Sequence, residues 1–406
     1  MVGILVVVGL ISGAFLLGRT RRVDVAVDEL PTSTTQPPST RRAPATSAPR
    51  STTTFPPADP ATIEREVETL SRFVEQKRGL TFKQKVQVHV AGDEEFNRLL
   101  LEDFDEERED LEKAAAAFEA LGMVEPGTDV AGALRKLLEV GVLGFYDPEK
   151  DELVVRGDHL SPYVRQTIVH ELTHALDDQW FDLDRPEYDE RHDEVGFGLS
   201  AVAEGNARRI EQAYEAQMTP EEKAARDREE AEFIPDLREL ASIPAILIQQ
   251  ISAPYDIGES LVEQLKAIGG QDAVDEALSD PPSTTEQALD VDKYLAREPA
   301  EPVATPPAEG EIVDSGMFGE LMTRLLLDDV GTSTEVDRAA RGWGGDAYVV
   351  WRGTDRRACA RIDWRMETPT DADELGTMLR RWVFSQVRAS VEELDQRSVR
   401  LTSCSR

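Results

Sequence analysis

The stretch IVHELTHALDDQW, residues 168–180, carries two histidines four residues apart with a glutamate directly after the first. On a helix this spacing brings His170 and His174 to one face, where both imidazoles can bind a single Zn²⁺. Glu171 is then placed to take a proton from a water molecule in the open position of the metal. The alternative is a pair of histidines on a polar, solvated helix face. In a chain with only five histidines, the pattern favours a hydrolytic metal site.

A helix that can carry this motif has a recognisable start. Ser161 is a good N-cap residue, and Pro162 occupies the first helical position, where proline is tolerated. At about 100° per residue, His170 and His174 fall on one face with Glu171 at its margin. The opposite face is apolar and consists of Val164, Ile168, Leu172, Ala175 and Leu176. We therefore expect one side of the helix to pack in the core and the other to carry chemistry.

A catalytic zinc needs a third protein ligand. A glycine and a third histidine shortly after the motif are absent, because Asp177 and Trp180 occupy those places. The helical segment 198–218 offers Glu204, whose small neighbours would allow that helix to approach the first one closely. We therefore favour Glu204 as the third ligand over one more exposed glutamate. Its rivals in the intervening loop are His192 and Asp193.

The sequence offers several candidates for the residues that would orient the zinc-bound histidines and stabilise the reaction. A zinc-bound imidazole usually donates its other N–H to a carboxylate or a carbonyl, and Asp178 or Asp177 follows His174 closely enough to accept it. Both are equally well explained as solvated acids at a helix end. A group must also stabilise the oxyanion that forms during hydrolysis. The candidates for that role are Tyr255, Tyr294 and His192.

The acidic composition of the chain argues against some classes of partner. The 406 residues carry a formal net charge of −34, spread along the chain, which repels phosphate backbones and anionic lipid surfaces. We expect no nucleic-acid partner. The hydrophobic content of 40% is sufficient for a sizeable core.

The N-terminal region predicts attachment to a membrane. Residues 2–18 form an uncharged apolar run, near the minimum length of a spanning helix, so we expect a transmembrane anchor over 1–18. A Ser/Thr/Pro-rich tract follows, and we expect a disordered stalk over 19–60. The arginines lie after the apolar run, which taken literally would place the body of the protein in the cytoplasm. The stalk composition and the cysteines favour an extracytoplasmic placement.

The two cysteines of the chain, Cys359 and Cys404, both lie near its C-terminus. They can form a disulfide, which needs an oxidising compartment, or remain two unrelated buried thiols. With an extracytoplasmic placement we expect the disulfide.

The remaining pattern predicts an α+β fold that is mainly helical. We expect a catalytic region over 61–300 and a C-terminal α/β region over 301–406 packed on it. The predicted elements are a helix ending at Gly79, the strand KVQVHVAG, a helix over 96–122, a hairpin over 142–158, helices over 161–270, a Pro-rich loop over 297–311, a second hairpin over 346–367 and a helix over 371–387.

Several blocks of the sequence, taken together, resemble one family. The blocks are HELTHALDDQWFDL, AVAEGNA, APYDIGESLVEQLKAIGGQDAVDEAL and PPSTTEQALDVDKYL. They are similar to a group of bacterial, membrane-anchored zinc metallopeptidases of the gluzincin type. The resemblance covers roughly residues 60–406 and implies a zincin-like fold with His170, His174 and Glu204 as zinc ligands and Glu171 as catalytic base. The chain departs from the family at Asn206, where an acid is usual, and at Asp290-Val291, where a His-Pro pair is usual.

These observations lead to one expected function and one alternative. We expect a membrane-tethered, extracytoplasmic zinc peptidase that hydrolyses peptide bonds in a peptide or protein substrate, with Glu171 as general base. The hairpin from Phe145 to Arg156 could offer an edge strand to an extended peptide. The departure at Asp290 motivates the alternative, a non-catalytic, zinc-containing binding module of the cell surface. An intact Glu171 argues against that alternative, because a structural zinc site has no use for a base.

Overall fold

The protein is built from helices and two small sheets, so the predicted α+β class is confirmed. The computed structural model describes residues 7–10, 59–102, 104–105, 107–148, 150–185, 188, 193–233 and 241–406. The helices of these residues are α1 (Pro60–Arg78), α2 (Asp93–Leu100), α3 (Arg108–Ala120), α4 (Val130–Gly141), α5 (Pro162–Phe181), α6 (Asp193–Glu215), α7 (Pro220–Phe233), α8 (Ala245–Ser279), α9 (Thr285–Leu289), α10 (Val291–Ala296), α11 (Gly319–Leu327), α12 (Ser333–Ala340) and α13 (Pro369–Ser385).

The strands form a four-stranded and a five-stranded sheet. The first sheet has the order β1–β3–β4–β2 and the second the order β5–β6–β7–β9–β8. The strands are β1 (Val7–Leu10), β2 (Gln87–Ala91), β3 (Val142–Asp147), β4 (Glu152–Arg156), β5 (Glu311–Gly316), β6 (Trp343–Arg352), β7 (Ala358–Met366), β8 (Ala389–Asp395) and β9 (Ser398–Cys404).

Helix α5 carries the HELTH motif and starts where the sequence predicts. The Ser161 hydroxyl accepts a hydrogen bond from the Val164 amide at 3.1 Å, and Pro162 fills the first turn. The apolar face packs in the core as expected, and the face that carries His170 and His174 is buried as well. Between Pro162 and Asp177, only Arg165 is half-buried. Helices α1 and α6 and the β3–β4 hairpin surround it. The motif therefore lies inside the protein and not on a solvated face.

The first sheet supports α5 through a predicted hairpin and two added strands. Strands β3 and β4 pair antiparallel, and β2 joins the outer edge of β4 in parallel. Apolar side chains from β3, β4, α1 and α5 share one core, which includes Tyr146, Leu153, Ile168 and Leu172. The packing fixes β3 directly beside the motif.

Four residues of the predicted anchor belong to this sheet. Val7–Leu10 are extended rather than helical and pair antiparallel with β3, with Gly9 opposite Gly144. A run of valines suits a strand as well as an apolar helix, because β-branched side chains pack well on a pleated surface. The rest of the predicted anchor, and the predicted stalk up to residue 58, lie outside the described residues. Among the helices that the structure describes, none is long and apolar enough to cross a membrane.

The helix predicted over 96–122 is two helices, α2 and α3, so that prediction is wrong in its continuity. The break falls in the acidic stretch EDFDEERED, where closely spaced carboxylates oppose helix formation. Phe104 is buried at the break, and the Arg135 guanidinium lies 4.7 Å from the centre of its ring. Because α2 and α3 are separate helices, α3 can pack against a different part of the protein from α2.

Helix α3 packs against the C-terminal sheet. Ala116 and Ala120 share a core with residues of β6, β7 and α13, including Trp343, Trp364 and Leu375. The Ser403 hydroxyl also donates a hydrogen bond to the Ala120 carbonyl at 2.6 Å. The C-terminal region therefore builds its core partly from a helix that the sequence assigns to the catalytic region.

The Pro-rich segment before β5 covers the other face of the C-terminal sheet. Arg361 of β7 donates to the Pro307 carbonyl and, at 2.7 Å, to Glu309, and its guanidinium lies over Trp351. Cys359 and Cys404 face each other across β7 and β9 and form a disulfide. The predicted second hairpin is present as β6 and β7, while β5 and β8 add edges that the sequence pattern does not indicate.

Candidate metal centre

His170, His174 and Glu204 converge on one point. The Nε2 atoms of His170 and His174 lie 3.2 and 3.6 Å from the same Glu204 oxygen, Oε2. One ligand atom from each residue lies within 4.8 Å of the others, and all three side chains are buried. A group with this donor set can hold a metal ion.

The polar atoms of His174 test whether a cation fits here. Within the described residues neither ring nitrogen of His174 has a hydrogen-bond partner, although the side chain is fully buried. An unpartnered buried nitrogen costs free energy, which a metal ion at Nε2 would offset. Two imidazole nitrogens and one carboxylate also match the ligand set of catalytic zinc sites. The residues present therefore fit a divalent metal.

Glycines position the helix that brings Glu204 to the site. A Cβ atom on Gly205 of α6 would lie 2.1 Å from the Gly258 carbonyl oxygen of α8. A Cβ atom on Gly258 would lie 1.9 Å from the Ala201 carbonyl oxygen of α6. The two helices therefore meet backbone against backbone. The sequence predicted that small residues beside Glu204 face the motif helix, but Gly205 serves the contact with α8.

Glu171 lies between the helix and the first sheet. It is completely buried, and a Cβ atom on Gly144 of β3 would lie 3.3 Å from its Cγ and 2.6 Å from Thr167 Cγ2. Only glycine allows β3 to pass this close. Gly144, which is paired with Gly9 of β1, therefore lies directly against the Glu171 side chain.

The second nitrogen of His170 has a partner that the sequence reasoning missed. Its Nδ1 lies 3.2 Å from Glu211 Oε2. Gln166 donates to the other Glu211 oxygen at 2.5 Å, and Arg208 donates to Oε2 at 2.9 Å. Glu211 follows Glu204 by seven residues, two helical turns, so it lies on the same face of α6. The seven-residue spacing between Glu204 and Glu211 is the feature of the sequence that could have indicated Glu211 as a partner of the site.

The buried charges shift the protonation of the site. Burial lowers the pKa of His170, but hydrogen bonds with Glu204 and Glu211 outweigh it and raise the pKa to about 10. Burial raises the pKa of Glu211, and the hydrogen bond with His170 and the charge of Arg208 outweigh it, lowering the pKa to about 2. Burial lowers the pKa of His174, which the proximity of Glu204 offsets only in part. In the absence of a metal, these shifts favour a proton on His170 over one on His174.

The aspartates that follow the motif have other partners. Asp177 accepts hydrogen bonds from Arg78 at 2.7 Å and from Asn206 at 2.5 Å. Asp178 accepts from the Tyr146 hydroxyl and the Leu183 amide, both at 2.8 Å. Asp177 and Asp178, the predicted hydrogen-bond partners of a zinc-bound histidine, instead link α5 to α1, α6 and β3. Asn206, which departs from the family pattern, links α6 to α5 through Asp177.

The structure separates the oxyanion candidates. The Tyr255 ring stacks against His170, with ring centres 6.3 Å apart and planes inclined by 23°. Tyr294 is buried in the core around α8, where its hydroxyl donates to the Asp280 carbonyl at 2.9 Å. Of the tyrosines proposed, Tyr255 is the one placed at the metal centre. His192 and the Asp193 side chain lie outside the described residues.

Asp290, the second departure from the family pattern, has a local role. Its side chain accepts a hydrogen bond from the Asp292 amide at 3.0 Å and caps α10. A carboxylate at this position therefore stabilises a helix start.

Comparisons with known proteins cover parts of the chain. Residues 307–403 match a family described as a domain of unknown function, DUF8575, which corresponds to the C-terminal sheet and its helices. No curated protein sequence matches the chain significantly. A crystal structure from Chloroflexus aurantiacus, described as that of a proposed hydrolase with a novel fold, is similar over 58% of this chain and 89% of its own. Its TM-score is 0.39 at 16% identity, a similarity that establishes neither a shared fold nor a shared function.

Proposed function

We propose that the protein is a zinc-dependent peptidase of the gluzincin type. The observation that carries the proposal is the convergence of His170, His174 and Glu204, with Glu171 on the same helix as both histidines. Zinc bound there would supply a Lewis acid that polarises the scissile carbonyl and lowers the pKa of a water molecule. The same three residues without an adjacent base would fit a structural site equally well.

In this proposal Glu171 holds and moves the proton. Its carboxylate takes a proton from the water that attacks the carbonyl carbon and delivers it to the leaving amine nitrogen. Burial of Glu171 keeps bulk water away, which strengthens its electrostatic interaction with the reacting atoms. We propose Tyr255, whose ring stacks on His170, as the donor to the developing oxyanion.

The β3 edge supports a peptide as the substrate. Val7–Leu10, an extended segment, pairs antiparallel with β3 and passes Gly144, which lies against Glu171. A substrate in the same place would gain main-chain hydrogen bonds with β3. This geometry favours a peptide bond over an ester or a phosphate of compact shape.

The test compares zinc content and casein cleavage in wild type and in Glu171→Gln. We expect about one zinc per chain in both proteins, because Glu171 is not a ligand, and a fall in hydrolysis of roughly 10²-fold or more in the variant. Alanine at His170, His174 or Glu204 should remove zinc. Gln212→Ala, a change to an exposed residue on the same helix as Glu204, is the control and should retain it.

Two results would reject the peptidase. Equal turnover in wild type and Glu171→Gln would leave zinc without the proposed base and would favour the non-catalytic binding module. Full zinc content in Glu204→Ala would show that another residue supplies the third ligand.

Membrane attachment and an extracytoplasmic position are also proposed, on the apolar run and the stalk composition. Val7–Leu10 cannot lie in a bilayer and in the sheet at the same time. Membranes washed with alkaline carbonate distinguish the two positions. Retention of the full chain in the membrane supports the anchor, and release supports the strand.

A further inference from the structure

A buried carboxylate stands behind the first histidine of the site. Glu211 of α6 is 7% exposed, and its Oε2 lies 3.2 Å from His170 Nδ1. A buried carboxylate is tolerated only when its oxygens are paired. Here Gln166 holds Oε1 and Arg208 holds Oε2, so the orientation of the Glu211 carboxylate is fixed from two sides.

This contact determines which nitrogen of His170 can bind a metal. In the neutral imidazole that binds a metal, Nδ1–H donates to Glu211 and the lone pair is at Nε2, the nitrogen that lies 3.2 Å from Glu204. A carboxylate acceptor also makes the imidazole a stronger donor to a metal. His174 differs, because within the described residues its Nδ1 has no hydrogen-bond partner. Of the two histidines, His170 therefore has a carboxylate partner at Nδ1 and His174 has none among the described residues.

We infer that Glu211 is a positioning residue that fixes the tautomer and ring orientation of His170 and thereby increases the affinity of the site for zinc. The inference rests on the proposed metal site, but it assigns a role that the ligand set alone does not require. Gln166 and Arg208 act one step further out, since each holds one oxygen of Glu211. Loss of such a partner typically weakens metal binding by about 10- to 100-fold.

The test measures the zinc dissociation constant of the full chain by competition with a chromophoric chelator. Glu211→Gln keeps the shape of the side chain and removes its charge. The buried Oε1 of Gln166 has no hydrogen-bond partner among the described residues, so it can accept from the new amide after a flip. We expect the dissociation constant to rise about 10- to 100-fold. A purely structural role would change the melting temperature and leave the dissociation constant unaltered.

Glu194→Gln is the matched control. Glu194 is on the same helix and equally buried, but its carboxylate accepts from the Thr285 amide and hydroxyl, at 2.7 and 2.8 Å, away from the histidines. We expect this variant to lose stability and keep the wild-type dissociation constant. An equal loss of affinity in both variants would overturn the inference.

The outcomes separate this inference from the proposed function. An unaltered dissociation constant in Glu211→Gln overturns the inference, even where Glu171→Gln is inactive and the peptidase stands. Weakened zinc binding in Glu211→Gln with full hydrolysis in Glu171→Gln supports the inference and rejects the peptidase. If Glu211→Gln does not fold, Gln166→Leu frees one oxygen of Glu211 and should weaken zinc binding in the same direction, and an unchanged constant there overturns the inference.

Discussion

Arg78 shows how a single residue outside the candidate metal centre holds together the helices that form it. Its guanidinium is fully buried at the end of α1 and pairs with Asp177 at 2.6 Å and with Asp275 at 2.9 Å. Because Asp177 also accepts from Asn206, this one side chain connects α1, α5, α6 and α8. Asp177 lies one helical turn after His174, so the network constrains the end of the motif.

Arg78→Leu should destabilise the protein strongly. Removal of one partner leaves the buried Asp177 without its main counter-charge, which typically costs about 3 to 5 kcal/mol. Urea unfolding measures the change. Arg72→Leu on the same helix is the control, since Arg72 and Glu68 form an exposed pair and its loss should cost less than about 1 kcal/mol. Equal effects of the two changes would contradict the structural role of Arg78.

At the scale of elements, the site depends on how closely α6 and α8 meet. Gly205 and Gly258 let the two backbones touch, and this contact sets the position of Glu204, which precedes Gly205.

In the C-terminal region, the start of helix α11 is held by a buried side chain of the sheet. Asp346 of β6 accepts hydrogen bonds from the Phe318 and Gly319 amides at its first turn and from Trp343.

Gly205→Ala should separate α6 from α8. A Cβ atom 2.1 Å from the Gly258 carbonyl oxygen forces the backbones apart, and overpacking of this kind typically costs about 1 to 3 kcal/mol. The affinity of the proposed site for zinc should fall as well, because Glu204 moves with its helix. Gly196→Ala is the control on α6, where a Cβ atom meets open space, and there helix propensity predicts a gain of up to about 1 kcal/mol. A neutral Gly205→Ala would contradict the close contact.

Asp346→Asn should cost more stability at pH 4 than at pH 7. Burial raises the pKa of Asp346 to about 6, although its three hydrogen bonds oppose the shift. The folded state then binds this proton more tightly than the unfolded state, so the contribution of Asp346 to stability falls as pH rises from about 4 to about 6. Asparagine does not titrate. Urea unfolding of both proteins at the two pH values measures the difference, and a cost that grows with pH would contradict it.

At the scale of the whole molecule, the disulfide closes the C-terminal region. Cys359 and Cys404 are separated by 45 residues, and the bond holds β9 beside β7 close to the end of the chain. A net charge of −34 makes the folded surface self-repelling, so a covalent link between a terminal strand and the sheet opposes fraying.

Reduction of this bond should lower the free energy of unfolding by about 3 to 4 kcal/mol, because the open loop regains conformational entropy in the unfolded state. Denaturant unfolding with and without reductant measures the loss. The oxidation state of Cys359 and Cys404 also indicates whether the protein lies in an oxidising or a reducing compartment. Cysteines protected from alkylation in native membranes are expected for an extracytoplasmic protein, and two freely alkylated thiols would count against that placement.

Several features of the protein could be predicted from the local spacing of residues in the sequence. The capped start of α5 at Ser161, the mainly helical α+β class and the β3–β4 hairpin follow from short-range patterns of capping, periodicity and turn residues. The motif also places His170, Glu171 and His174 along one helix, because helical geometry relates residues four apart without any tertiary contact.

Tertiary structure decided the features that depend on distant residues. The proximity of Glu204 to the histidines depends on the contact of α6 with α8, the partner of His170 is Glu211 rather than Asp178, and Tyr255 lies at the site while Tyr294 lies in a core. The sequence shows that each of these side chains can accept, donate or stack. Which of them meet is set by packing between helices far apart in the chain, and neither periodicity nor propensity encodes that packing.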